Sequence, residues 1–159
     1  MKKTAFFENT KLLNGYGTTP LMYGSLGLEY ITGADFGADD VDILIPQTFT
    51  TDSWGGFSAF LCANGYILVD EAEHTFEKGG IEFSYGSLQE LESFSGIRVQ
   101  DIKGYTQDGA QFMALSLSQY LIVYNQSIKD GYRINVRQKK DADKIAFIEN
   151  QIKKQNGNP

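Results

Sequence analysis

Leu21-Met22-Tyr23-Gly24-Ser25-Leu26-Gly27-Leu28, followed after a loop by Asp39-Asp40-Val41-Asp42-Ile43-Leu44-Ile45-Pro46, is the stretch that decides how this chain folds. Leu21 to Tyr23 reads as a short buried strand. The Gly24-Ser25 turn then opens a helix over Ser25 to Thr32, with Leu26, Leu28, Tyr30 and Ile31 as its apolar surface and Gly33 as its stop. Val41 to Ile45 is β-branched and nearly all apolar, which suits a strand covered on both faces, and Pro46 ends it.

In an extended strand Asp40 and Asp42 point the same way with Cα atoms about 7 Å apart, while Asp39 points opposite. Two like charges at that spacing repel by roughly 2 kcal/mol at an effective dielectric near 20. A solvated acidic strand start tolerates that cost; a bound cation offsets it. Mg²⁺ prefers oxygen ligands and shares them with substrate phosphates. One strand and one helix upstream, the Gly24-Ser25 helix start offers unpaired N–H groups, a positive dipole end and a hydroxyl donor to phosphate oxygens. The two features together suit a triphosphate held beside a divalent metal.

Working outward, a short helix is expected over residues 5–13, ended by Gly15, Gly17 and Pro20. Asp52 or Ser53 caps a helix running to about Asn64. Tyr66 to Val69, His74 to Lys78 and Ile81 to Tyr85 look like successive strands, with Gly79-Gly80 as a hairpin turn. Ser87 to Ser93 reads as a short helix, and Val99 to Tyr105 and Gln111 to Leu115 as strands around Gln107-Asp108-Gly109. Ser116 to Ile128 is a helix with Leu117, Tyr120, Leu121 and Tyr124 on one side, broken by Gly131. Asp141 to Lys154 is a final amphipathic helix with Ile145, Ile148 and Ile152 inward, and 155–159 a frayed tail. The sum is one α/β or α+β domain over residues 1–159 with a mixed sheet.

The chain has 159 residues, 42% of them hydrophobic and 13% aromatic, enough for a real core. Its formal charge is −6, which disfavours a general nucleic-acid binder, because such affinity rests on Lys and Arg neutralising phosphates. The single cysteine, Cys62, allows no intramolecular disulfide and is expected as a small core residue; with one histidine, His74, structural zinc is disfavoured. The Met1-Lys2-Lys3 start is not followed by an apolar run, since Glu8, Asn9 and Lys11 intervene. No stretch approaches a membrane span, and the cytoplasm is the expected location. His74 is expected at the surface, and Trp54 and Phe57 in core or rim packing.

From Gly24-Ser25-Leu26-Gly27-Leu28-Glu29 through Thr32-Gly33 to Asp39-Asp40-Val41-Asp42-Ile43, the chain resembles the nucleotidyltransferase superfamily of polymerase-beta-like fold. Over residues 20–46 it is most similar to the small enzymes acting on lincosamides and aminoglycosides. It departs from them in having Ala38 where they often carry His, and no long C-terminal helical domain is expected beside the minimal fold. The resemblance implies a mixed β-sheet flanked by helices, a third carboxylate on a later strand, and magnesium-dependent transfer of NMP from an NTP, ATP first among them.

Glu82 in Ile81-Glu82-Phe83-Ser84-Tyr85 fits that third carboxylate, as metal ligand in preference to general base, with Glu77 as the competitor. The resemblance therefore implies Asp40, Asp42 and Glu82 as catalytic metal ligands and Gly24 and Ser25 at the phosphates. Arg137 or Lys139, in a stretch similar to the family's Arg-x-Lys-Asp-x-x-Asp-Ile, is implied as a charge partner of the triphosphate. A small molecule or a protein is the expected acceptor, and a homodimer or a shallow acceptor cleft is expected from the small size. A non-catalytic module keeping the same fold, and a toxin–antitoxin-type transferase, are the competing expectations.

Overall fold

The computed structural model describes residues 1–129 and 136–156, with the backbone alone for Lys129 and residues 136–141. Seven strands form one mixed sheet among the described residues, in the order β3-β4-β5-β2-β1-β7-β6. In chain order the elements are α1 (Lys2–Tyr16), β1 (Leu21–Tyr23), α2 (Gly24–Thr32), β2 (Val41–Ile45), α3 (Trp54–Ala63), β3 (Ile67–Asp70), β4 (Thr75–Lys78) and β5 (Ile81–Ser87). Then follow α4 (Leu88–Ser95), β6 (Lys103–Gln107), β7 (Ala110–Ala114), α5 (Leu117–Lys129) and α6 (Val136–Gln155).

β2 is central because both its faces are apolar. It runs parallel to β5 and antiparallel to β1. Alternation divides its side chains between two cores. Val41, Ile43 and Ile45 join Phe6, Phe7 and Leu13 of α1 and Phe57 and Leu61 of α3 on one face. Leu44 joins Leu88 and Leu91 of α4, Leu117, Tyr120 and Tyr124 of α5, and Ile148 of α6 on the other. Helix α2 crosses between them, giving Leu26 to the first core and Leu28 to the second. The first core is closed by aromatic edges, such as Phe57 against Tyr85 at 5.4 Å between centroids.

Several local expectations change. The first helix runs from Lys2 to Tyr16, so Gly15 lies inside it, and Gly17 ends it at a left-handed φ of 105°. Val99–Asp101 is a 3-10 turn rather than the start of a strand, closed by an Arg98–Asp101 ion pair at 3.2 Å. Cys62 is exposed. On α3 the buried positions are Phe57 and Leu61, four apart; Cys62 follows Leu61 by one residue, about 100° around the helix, and so faces outward. Ser53 sits at the start of α3 without a side-chain cap bond. The final helix begins at Val136, earlier than Asp141. The expected break at Gly131 and the last residues of the tail, 157–159, lie outside the described residues.

The Gly79-Gly80 hairpin forms as expected, with φ of 61° and 79°, both in the region where only glycine is unstrained. No helix among the described residues is long and apolar enough to cross a membrane.

Candidate functional site

A cavity of about 660 Å³ opens over the centre of the sheet on the α4–α5–α6 side. Its floor is the end of β1 and the middle of β2 and β5: Tyr23, Asp42, Ser84 and Gly86. Tyr23 is the register partner of Asp42 across β1–β2, and Ser84 is its partner across β2–β5, so these three side chains share a face. The walls come from α5, with Tyr120, Val123, Tyr124 and Ser127, from α4, with Glu90 and Phe94, and from Lys144 of α6.

One end of the cavity is the start of α2. Gly24 takes a left-handed φ of 64°, and a Cβ placed there would sit 2.5 Å from the Asp42 Oδ2. Only a glycine lets the turn pass this close to the carboxylate. The Tyr120 hydroxyl donates to the Gly24 carbonyl at 3.0 Å and fixes the turn from behind. Burial pushes the Tyr120 phenol well above its ordinary pKa, and negative charge at Tyr124, Tyr23 and Asp42 pushes the same way. Tyr120 therefore stays a hydrogen-bond donor at neutral pH.

The N-cap residue of α2 is Tyr23, whose side chain makes no capping hydrogen bond. The Ser25 hydroxyl accepts instead from the Lys144 Nζ at 3.0 Å, and that ammonium also lies 5.3 Å from the Tyr124 ring centroid. The arrangement joins helix-start N–H groups, a carboxylate and an ammonium in one concave space, of a size that holds a small organic ligand.

No protein-family model matches the chain. The chain is 34% identical over 134 residues to the uncharacterized protein YnaI of Bacillus subtilis (strain 168), a match that spans 84% of this chain and 86% of that protein. The chain belongs to the YnaI family. Its fold is also that of an antigenic nucleotidyltransferase-like protein from Paracoccidioides brasiliensis, at a TM-score of 0.64 and 15% identity, covering 92% of this chain and 74% of that one. This member of the YnaI family thus has a nucleotidyltransferase-like fold.

Of the residues singled out from the sequence as site candidates, Gly24, Ser25 and Asp42 come together in the cavity, and His74, expected only at the surface, lines it as well. Asp40 is half-buried at the bend just before β2, and Glu82 is exposed; neither is among the lining residues. Carried one step beyond Val41↔Phe83, the β2–β5 register sets position 82 beside position 40, and Glu77 pairs with Glu82 across β4–β5. Among the described residues no three His, Cys, Asp or Glu side chains form a metal-holding group. Arg137 and Lys139 fall on α6, where their side chains lie outside the described residues.

His74, expected on a strand, sits in the turn before β4 at a φ of 53°, half-buried with its ring 4.4 Å from that of Trp54. Sequence reasoning passed over Tyr120 and Lys144. Tyr120 was read as core, which it also is. Lys144 was one cation in a charged run, and its contact with Ser25 spans 119 positions of chain.

Proposed function

We propose that this protein binds a nucleoside triphosphate, ATP first among candidates, and moves its NMP to an acceptor hydroxyl with magnesium as cofactor. The supporting observation is that the start of α2 and the Asp42 carboxylate open on one cavity, separated by a turn that only Gly24 accommodates. The N–H groups after Gly24 and the Ser25 hydroxyl would bind phosphate oxygens. Asp42 suits an ion that takes one or two carboxylates and completes its shell with phosphates and water, and Asp40, at the bend two residues earlier, would be the second carboxylate.

Magnesium held there would offset charge on the triphosphate as it develops in the displacement. The acceptor hydroxyl releases its proton to water as its oxygen attacks the α-phosphorus, the bond to the bridging oxygen breaks, and pyrophosphate leaves. Glu82 would serve as a further ligand from the adjacent strand, and Arg137 or Lys139 as charge partners. Lincosamides and aminoglycosides are the first acceptors to try, because residues 20–46 resemble the enzymes that modify them; a protein acceptor is the next. A homodimer in the cytoplasm fits the same reading.

A second reading is a non-catalytic nucleotide-binding or interaction module. It is favoured by Ser84, not a carboxylate, standing beside Asp42, and by Glu82 lying outside the cavity. One experiment separates the two. Thermal unfolding with ATP and magnesium reports binding, and pyrophosphate release with a lysate and radiolabelled ATP reports transfer.

Stabilisation with turnover, the turnover falling about a hundredfold or more in Asp42→Ala, supports the transferase. Stabilisation without turnover supports the binding module, and neither signal sinks both. Label appearing in protein or tRNA, instead of a small molecule, identifies the toxin–antitoxin type of acceptor.

A further inference from the structure

The two edges of the sheet are built differently. β6, at one edge, carries Lys103, Thr106 and Gln107 exposed, and a lysine on an edge strand discourages pairing with another chain. β3, at the other edge, is Ile67-Leu68-Val69-Asp70 and pairs with β4. Leu68 stands opposite Phe76 and packs against the core on the α3 side. Ile67, opposite Glu77, faces the other way and is 61% exposed; Val69, at the register shift two residues on, is 49% exposed. A strand at a sheet edge turns backbone N–H and C=O groups outward, and here two exposed apolar side chains flank them, which makes a template for a further strand.

The charges at the two ends of β3 indicate which strand that is. At the N-terminal end the Lys78 ammonium donates to the Asn64 carbonyl at 3.2 Å and lies 4.8 Å from the centre of the Tyr66 ring. At the C-terminal end Asp70, Glu71 and Glu73 are exposed. The Asp70 carboxylate accepts from the Glu73 backbone N–H at 3.1 Å, and Glu71 stands beside it at the corner. A strand that is cationic at one end and anionic at the other complements its own reverse. Laid antiparallel, each lysine meets the partner's acidic end; laid parallel, like charges meet.

We infer that β3 is the self-association edge of this protein, pairing antiparallel with β3 of a second copy about a two-fold axis at Leu68. In that register Ile67 lies beside the partner's Val69, and Gly65, with the Lys78 side chain next to it, lies beside the partner's Glu71. The contact is isologous, so each of these pairs occurs twice, and two seven-stranded sheets join into one of fourteen. The register shift at Val69 keeps the paired stretch short, so the dimer is reversible, with a Kd on the order of 10–100 μM. It forms whether or not the cavity binds a nucleotide.

The test is sedimentation velocity in reductant, at concentrations spanning that Kd up to about 1 mM, on the wild-type chain, Ile67→Ser, Lys78→Glu, Glu71→Lys and an equimolar mixture of the last two. All three positions are exposed, and circular dichroism checks that each variant folds. Each single variant is expected to self-associate about tenfold more weakly or worse, because the change acts at both symmetric contacts. In the mixture the two reversed chains meet with opposite charges at both contacts, so association is expected to return to within about threefold of the wild type. Amide exchange over Ile67–Asp70 is expected to slow as the wild-type protein is concentrated, and over Lys103–Gln107 to stay unchanged.

A wild-type chain that stays monomeric throughout leaves the edge to a strand of a different protein and overturns the second copy as its occupant. A dimer indifferent to all three substitutions, or one that slows exchange in β6 instead of β3, places the contact elsewhere and overturns the inference. A mixture as weak as the single reversals overturns the antiparallel register. Should a charge reversal fail to fold, Ile67→Ser together with the exchange pattern carries the comparison.

Discussion

Two helices leave this sheet directly from strand ends, and their first turns are built differently. At α4, Ser87 is buried and its hydroxyl accepts from the Glu90 backbone N–H at 3.1 Å, so the N-cap residue satisfies one donor of the first turn. At α2, a tyrosine stands at the cap position without a capping bond, and the nearby serine is engaged by a lysine from the far end of the chain. A capping side chain satisfies one of the N–H groups that a helix start leaves over, whereas a start whose N-cap side chain makes no such bond can present that group to a cavity. The same residue type serves stability in one corner and presents polar groups to the cavity in the other.

Substitutions at the two corners test that division. The largest effect is expected one turn into α2. A Cβ at Gly27 would collide with the Tyr120 hydroxyl and come 2.5 Å from the Met22 carbonyl oxygen, which is backbone and cannot swing aside. Gly27→Ala should destabilise the protein by about 3 kcal/mol, read from denaturant unfolding; a loss under about 1 kcal/mol would mean the α2 corner is looser than described.

Tyr120→Phe should cost about 1 kcal/mol, because it removes the hydroxyl's buried hydrogen bond to the Gly24 carbonyl, and it should also weaken ATP-induced stabilisation. The serine pair gives the smallest and sharpest contrast. Ser87→Ala should lower stability by about 1 kcal/mol with nucleotide binding intact, while Ser25→Ala should change stability by less than about 0.5 kcal/mol and weaken nucleotide binding. Matching stability losses at the two serines would erase the distinction.

The α2 corner was largely legible in the chain. Gly24-Ser25 between an apolar triplet and an amphipathic stretch marks strand, turn and helix within a dozen residues, and Val41–Ile45 carries the strongest strand signal in the sequence. Those signals are local, so single-chain periodicity captures them. The walls of the cavity were less legible, because they are long-range. Lys144 meets Ser25 only after α5 and α6 have folded back over the sheet, and Tyr120 contributes equally to core packing and to the Gly24 turn.

Register was the other hidden quantity. Alternation placed Asp42 toward one face, but which β5 residue stands beside it depended on the β2–β5 pairing, and that pairing puts Ser84 there with Glu82 one step outward. Cys62 failed for a simpler reason: an apolar neighbourhood in sequence does not fix which side of a helix a small residue occupies.

That exposed thiol has a practical consequence. Cys62 sits on α3, whose core contacts lie across the sheet from the cavity, and it is the sole cysteine in the sequence. A maleimide dye would attach at one defined point and leave the polar cleft untouched, which suits fluorescence anisotropy. By the same token, air oxidation can bridge two copies through this sulfur, so sizing experiments on oligomeric state belong in reductant or on Cys62→Ser protein.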